Sequence, residues 1–508
     1  MLLILSFLKV KKASIISDTK NKIKGWSSIV LILLLASLFY LLYLGKESLW
    51  IDELYSLRDA TVYFLDFPNN FSLNRPFYFI ILHFWMKFST SEAWLRGLSV
   101  IFALGSIFLI YKLGCRLYSK STGLVAALLL TFSTLAINHA QQVRMYMVSI
   151  CIGIASSLIF TYLLETPKKS YLISWLGLRF LAVLTIPINI LLLATDLLLV
   201  FYQLRQRISL FKVLRKWFWV LGILFIPTVL TLVDVIPPLI DFINEQIKSE
   251  AYPSRPSLKS FVAGLTQFTA SLNLRSEGFT VWYYEDFFYF YSAILGCLLV
   301  IALLRKRFSL QHWYSVLWGF LPLIAIFLLS QLAPSFWFRT RYLLLAAPYI
   351  LLLFAEGFVR VFRWQRQVAL LVILSYIMIV TPSLLNYYTA PNREDWRGAI
   401  EVINVNEQPK DVIVLFPDIY SMALEYYYEG SASIYFIEAL SGNLATDKAY
   451  ITQAFRELPS ENFRFWLLLR LRQEQERQIF EDFIAKEYQV QRHEEFWDVD
   501  LYLVKSNI

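Results

Sequence analysis

The chain has 508 residues, 57% of them hydrophobic and only 17% charged, with a mean hydropathy of +0.54; a soluble domain is nearer a quarter charged, so a membrane protein is expected. The net charge of +9 is uneven: from Ala390 onward 12 Lys and Arg face 21 Asp and Glu, while the remainder carries 35 against 17. A basic membrane part with an acidic tail excludes a nucleic-acid-binding reading and fits a tail held on the side opposite the basic loops.

In chain order, residues 1–25 hold an apolar patch too short to span, then Lys9, Lys11, Lys12, Lys20, Lys22 and Lys24. No small-residue cleavage site follows, so no removable signal peptide is expected, and the lysines should stay cytoplasmic. Trp26 to Leu44 then supplies roughly the 20 apolar residues of a spanning helix. Further spans are expected near 94–115, 121–137, 143–164, 171–187, 188–204, 217–236, 287–304, 313–332, 340–359 and 367–387, about eleven in all. The basic clusters Lys112/Arg116/Lys120, Lys168/Lys169, Arg205 to Lys216, Arg305/Lys306/Arg307 and Arg360/Arg363/Arg366 then share the side of the N-terminal lysines. On the far side lie the Asp52–Arg75 loop, the Asn138–Arg144 corner, the 237–286 loop and the tail.

The apolar run 76–88 is short for a span and is expected to lie along the interface, with Trp85 and Lys87 at the headgroups. Counting it as a span would put the basic clusters outside. The 237–286 loop, with Pro237, Pro238, Pro253, Pro256, an acidic stretch and Trp282-Tyr283-Tyr284, is expected to form a lid. Past Ser383 the texture changes: Glu394–Val405 and Gln473–Lys486 look helical, while Asp411–Phe416, Ser433–Ile437 and Phe465–Leu469 read as strands. Tyr488–Gln491 and Val499–Val504 read as a closing hairpin, which together imply a small α/β layer domain. That domain is expected to be an accessory scaffold. Cys115, Cys151 and Cys297 fall in or beside apolar stretches and suggest no disulfide framework. The expected organisation is a cytoplasmic segment 1–25, a membrane domain 26–388 and an extracytoplasmic α/β domain 389–508.

The stretch that draws attention is Trp50-Ile51-Asp52-Glu53, two carboxylates just past the first span, with Asn74-Arg75-Pro76-Phe77 a short loop away. Acids also favour helix N-termini, so the pair alone is equally a helix-start signal. Carboxylates near a bilayer are costly unless they face water, a partner or a substrate.

Trp50-Ile51-Asp52-Glu53, Arg75-Pro76-Phe77-Tyr78, Glu92 to Ser99 and Gln141-Gln142-Val143-Arg144-Met145-Tyr146, in that order and spacing, resemble the protein O-mannosyltransferase-like superfamily. These are membrane glycosyltransferases of the GT-C type, the bacterial lipid A aminoarabinose transferases among them. The resemblance covers roughly residues 26–165; Arg341-Tyr342-Leu343-Leu344 with Pro348, and Glu394-Asp395-Trp396-Arg397, resemble later family segments. It implies a GT-C bundle with interfacial helices on the periplasmic side, and a polyprenyl-phosphate-linked sugar as donor. It also implies transfer on the extracytoplasmic face with inversion and no nucleotide, in the plasma (inner) membrane. Asp52 takes the family's base position and Arg75 that of the cation gripping donor phosphate. The chain departs from the commoner Lys-Pro-Pro pattern, since the cation is Arg and Phe77 replaces the second proline; Asn74 stands where an acid or histidine is more usual.

The chemistry agrees with those roles. A hydroxyl attacking a sugar must lose a proton to a base within hydrogen-bond reach, here Asp52. The leaving lipid phosphate needs cation stabilisation, which a guanidinium fork provides. Glu53 could orient Asp52 or bind sugar hydroxyls, and Tyr55 and Asn74 flank the acid and the cation as further substrate contacts. Arg144 could add a phosphate contact or simply snorkel. Arg339 and Arg341 could complete a cationic clamp or anchor the interface, and His139 with Gln142 could meet the sugar or merely pack. His83, His139, His312 and His493 are scattered without zinc-ligand spacing, so no metal and no cofactor are expected. Asp196 and Asp234 are suspects only because acids within or at the end of spans are expensive. The expected partners are the lipid-linked donor, a lipid, protein or polysaccharide acceptor, and the bilayer. The competing reading is a transporter or flippase of lipid-linked sugars, which paired halves with broken helices would favour; a non-catalytic glycolipid-binding protein is a third.

Overall fold

The computed structural model describes residues 27–65, 75–204, 255–270, 285–304, 310–332, 339–440, 444–458, 464–471 and 474–506. Helices come first: α1 (Ser27–Leu41), α2 (Ile51–Leu65), α3 (Pro76–Met86), α4 (Glu92–Leu117) and α5 (Lys120–Phe132). Next are α6 (Thr134–Ala140), α7 (Tyr146–Glu165), α8 (Lys169–Thr185), α9 (Ile190–Leu204) and α10 (Leu258–Gln267). α11 (Glu285–Leu303), α12 (Leu310–Leu332), α13 (Thr340–Leu343), α14 (Ala347–Trp364) and α15 (Arg366–Thr389) complete the series before the tail.

Among the described residues, four helices are long and apolar enough to cross a membrane: α4, α7, the Trp313–Gln331 part of α12, and α15. The bent pair α5 and α6 makes a fifth if taken as one span, and α1, α3, Pro187–Tyr202 and Phe287–Leu303 are shorter apolar helices. The span expected at 217–236 lies outside the described residues, as do Asp234 and most of the 237–286 loop. Within that loop α10 is a capped helix, the hydroxyls of Ser257 and Ser260 answering each other's backbone N–H groups at its start.

Two expected spans are broken. The stretch 121–137 bends by 64° at Ser133, an extended residue (φ −65°, ψ 109°) that closes α5 and caps α6 by accepting from Ala136 N–H. Thr131, Ser133 and Thr134 put hydroxyls into the apolar run here, and the cap made by Ser133 marks the bend. The stretch 340–359 splits into the single turn α13 and the long α14, which restarts with Pro348 in its first turn, where a missing N–H costs nothing.

The chain forms two compact units: one takes residues 1–42, 63–88 and 95–389, the other 43–62, 89–94 and 390–508. They are interleaved, whereas a single boundary near 388 was expected. In the helical unit, α4 and α5 approach at glycine: a Cβ on Gly114 would fall 2.6 Å from Gly123 Cα. Small residues permit such contact where lipid provides no hydrophobic drive. Asp196, placed mid-span by the sequence with no partner named for it, accepts from Arg179 Nε at 2.7 Å and from the indoles of Trp175 and Trp318, each at 2.6 Å. Arg179 also donates to Ser157 Oγ at 2.7 Å and Gly153 O at 3.2 Å. An ion pair this dry stands only when both ends are saturated with hydrogen bonds.

The tail portion of the other unit contains α16 (Trp396–Asn406), β1 (Val412–Phe416), α17 (Ser421–Tyr427), β2 (Ser433–Phe436) and α18 (Leu444–Arg456). It continues with β3 (Arg464–Leu469), α19 (Glu474–Glu487), β4 (Tyr488–Phe496) and β5 (Val499–Ser506). The sheet order is β2-β1-β3-β5-β4, parallel across β2, β1 and β3 and antiparallel onward. α17 and α18 are additional to the helices expected. β1 is buried along its whole length, as a central parallel strand should be. Val414, Phe416, Leu467 and Leu469 pack with Phe455, Ile479 and Phe480.

Candidate active site

In the helical unit the site begins at Arg75. It is the N-cap of α3 and lies in the left-handed region at φ 62°, ψ 31°, while its carbonyl accepts from Tyr78 and Phe79 N–H at 3.1 and 3.3 Å. A side-chain-bearing residue held there costs on the order of 1–3 kcal/mol, and such strain collects at ligand sites. Pro76 fixes the start of the helix immediately after it, so the turn aims Arg75 rather than letting it fray. The Nε of Arg75 is shut off from solvent and meets no hydrogen-bond acceptor among the described residues. Burial first, then the positive charge of Arg144 and also of Arg341, lowers its pKa from the usual arginine value, against a partial offset from Tyr146 and Tyr342.

Arg144 reaches this group from the corner between α6 and α7, which is built by polar side chains. Ser99 Oγ donates to the carbonyls of Gln142 at 2.5 Å and Arg144 at 3.2 Å. Gln141 donates to Tyr40 O and Leu42 O at 3.0 and 2.9 Å and accepts from Tyr387 Oη at 2.7 Å. Gln142 Nε2 donates to Asn138 Oδ1 at 3.2 Å, so its amide nitrogen is engaged in holding the corner. His139 is buried edge-on to the Tyr146 ring at 4.8 Å between centroids, and the Arg144 guanidinium lies 5.8 Å from the same ring. Arg341 comes from α13 and sits 5.5 Å from the Tyr342 ring; Arg339 caps α13, its carbonyl accepting from Tyr342 N–H at 2.9 Å. Arg75, Arg144 and Arg341 thus converge with Tyr146 and Tyr342, and His139 joins through Tyr146. Asn74 lies outside the described residues. The two tyrosines were legible only as neighbours of arginines in the sequence.

Asp52, Glu53 and Tyr55 belong to the other unit. Adjacent residues on a helix point about 100° apart, and the acid pair separates accordingly. Asp52 is partly exposed at the start of α2, whereas Glu53 is fully buried. Glu53 accepts from Trp50 N–H at 3.3 Å and faces Arg393 Nε at 4.0 Å. It was expected either to orient Asp52 or to bind sugar hydroxyls; the structure encloses it in protein. Tyr55, one turn on from Asp52, lies 4.8 Å under Arg58. Burial raises its pKa, opposed by Arg58 and reinforced by Asp418, Asp52 and Asp59.

A three-donor group that linear spacing does not reveal appears on the β4–β5 hairpin, where register places Glu495 opposite Asp500 and His493 two residues before Glu495. Arg477 already donates to both Asp500 oxygens at 3.4 and 3.1 Å, and His493 stacks on Tyr502 at 3.9 Å. The guanidinium occupies the charge a cation would neutralise, so these residues fit a metal poorly.

No protein-family profile matches the chain, and no curated protein sequence matches it. Solved structures do. The Archaeoglobus fulgidus oligosaccharyltransferase in its apo form aligns over 88% of this chain and 69% of its own, at 13% identity and a TM-score of 0.56. The oligosaccharyltransferase AglB from Archaeoglobus fulgidus, in complex with an inhibitory peptide and a dolichol-phosphate, aligns over the same shares at 15% identity and a TM-score of 0.52. ArnT from Cupriavidus metallidurans, bound to undecaprenyl phosphate, aligns over 94% of this chain and 98% of its own at 12% identity and a TM-score of 0.56. At such identities what is shared is the architecture: the chain has the fold of the GT-C membrane glycosyltransferases.

Proposed function

We propose that the protein transfers a sugar from a polyprenyl-phosphate carrier to an acceptor hydroxyl on the extracytoplasmic face of the membrane, with inversion at the anomeric carbon. Arg75 holds the donor phosphate, with Arg144 and Arg341 beside it. The observation that carries this reading is the gathering of two further guanidiniums, Arg144 and Arg341, about a strained, half-buried Arg75 whose Nε has no protein acceptor among the described residues. Like charges packed this way are stabilised by an anion, and a phosphate monoanion or dianion accepts a guanidinium fork. Neighbours of the same fold are bound to dolichol-phosphate and undecaprenyl phosphate, which supports that anion being a lipid phosphate.

Asp52, partly exposed at the N-terminal end of α2, serves as general base. It takes the proton of the acceptor hydroxyl as that oxygen bonds to the anomeric carbon and the carbon–oxygen bond to the lipid phosphate breaks. The pair of electrons leaves on the phosphate, where Arg75 offsets the developing charge. One base and a good leaving group suffice, unlike glycosidases that flank the bond with two carboxylates. In this reading about eleven spans hold the N-terminus in the cytoplasm and the tail outside, and no metal or cofactor takes part.

Transfer of labelled sugar from a panel of undecaprenyl-phosphate hexoses and pentoses to membranes lacking the protein tests this. Asp52→Asn and Arg75→Ala should each lower transfer by about 100-fold or more. Full turnover in both would end the assignment. Movement of labelled lipid across vesicles without new glycosidic bonds would point to a flippase instead.

A further inference from the structure

The tail reaches the candidate base through a short run of residues that the transfer chemistry leaves unexplained. Glu53, on the turn that carries Asp52, is a carboxylate with no exposed surface. A buried carboxylate is tolerable only where a cation and hydrogen bonds compensate it. Its cation is Arg393, which lies between two acids of the 43–62 segment: Nε at 4.0 Å from Glu53 and Nη1 at 3.5 Å from Glu47. Asn392 N–H donates to the other Glu47 oxygen at 2.5 Å, and Ser48 Oγ donates to Glu394 O at 2.5 Å. A second clamp closes beside it. Leu49 N–H donates to Tyr427 Oη at 2.7 Å, Tyr427 donates to Glu92 at 2.5 Å, and Arg397 donates to the other Glu92 oxygen at 2.6 Å.

Each residue from 47 to 50 leading into α2 is therefore tied, by side chain or backbone and at Trp50 through Glu53, to residues 392–397 or to Tyr427. Trp396, stacked on Tyr420 at 4.9 Å, fixes that run to the sheet domain, and Asp395 caps α16 through Gly398 N–H. Asp52 begins one residue into the helix so held. The arrangement ties the start of the helix that carries Asp52 to a support 346 residues downstream, the relation a positioning group bears to a catalytic one.

We infer that Arg393 is a positioning residue which, through Glu53, sets Asp52 for proton abstraction, so that the tail domain is a working part of the transfer machinery. This rests on the proposed role of Asp52. The full-length protein in vesicles supplies the test, with labelled transfer from the undecaprenyl-phosphate sugar panel as one readout and binding of undecaprenyl phosphate alone as the other. Arg393→Ala should reduce kcat by about 100-fold, the loss that a misplacement near 1 Å brings, with binding of undecaprenyl phosphate unchanged. Arg393→Lys, which keeps the charge, should recover most of the rate. Combining Arg393→Ala with Asp52→Asn should be no worse than Asp52→Asn alone, since both act on one group.

Wild-type turnover in Arg393→Ala overturns the inference, as does a further multiplicative loss in the double variant. Loss of undecaprenyl phosphate binding together with turnover also overturns it, since that marks general support of the fold. Turnover in Asp52→Asn at the wild-type rate sinks the proposed function instead, which keeps the two failures distinct.

Discussion

Arg179 and Arg75 belong to the same helical unit and are treated in opposite ways. Arg179 has Asp196 on Nε and Nη2, Ser157 on Nη2 and Gly153 O on Nη1, and two indoles complete the acid. Arg75 lies on a left-handed backbone, faces Arg144 and Arg341, and leaves Nε without an acceptor among the described residues. One guanidinium is finished by the fold; the other is kept costly by it. Saturated buried pairs hold helices in register, while strained and under-compensated ones mark where a ligand completes the balance.

The comparison breaks most sharply at Arg179. Arg179→Ala leaves Asp196 buried without its cation and should cost about 3–5 kcal/mol in thermal unfolding of the detergent-solubilised chain. Arg179→Met with Asp196→Leu removes both charges and should restore much of that loss while leaving transfer intact. A folded double variant without transfer would mean the pair serves more than packing. Arg75→Gly should do the reverse: it relieves the left-handed strain, so the midpoint of unfolding should not fall, yet transfer should drop by about 100- to 1,000-fold. A large fall in the midpoint would show Arg75 to be structural after all.

The smallest effect lies in the sheet domain. There Asp411 accepts from Arg464 at 2.9 and 2.6 Å, Trp466 at 2.9 Å and Gln408 N–H at 2.9 Å. Burial pushes its pKa up, but these bonds outweigh burial and hold it below the usual carboxylate value. A carboxyl whose folded pKa is depressed contributes stability that is full above its unfolded value, about 4, and is lost as pH falls through the folded one. Asp411→Asn should therefore cost about 2 kcal/mol at pH 7 and progressively less below pH 4. Tryptophan-fluorescence melts across that range check the sign.

Much of this was readable in the residues. Arg75 next to a proline, Arg144 at a span end and Arg341 at the start of another stand out because cations at those depths need a reason. Strand stretches in the tail were visible from β-branched and aromatic runs such as Val412-Ile413-Val414-Leu415-Phe416. What escaped depends on partners far apart in the chain or across strands. Asp196 drew suspicion, but its cation sits 17 residues away on a neighbouring helix. Glu53 and Arg393 are separated by most of the protein, and the His493–Glu495–Asp500 group exists only once the hairpin register is set. The bend at Ser133 escaped because hydropathy is blind to a hydroxyl that caps.

The interleaved unit has a consequence for the order of biogenesis. Ser48 and Glu394 are 346 positions apart, and at roughly 5–20 residues per second the first segment leaves the ribosome some tens of seconds before its support is made. During that interval α2 has neither Arg393 for its buried acid nor Tyr427 for its leading amide. In a nascent or truncated chain the contacts from residues 392–397 and Tyr427 to the start of α2 are missing until translation has reached the sheet domain.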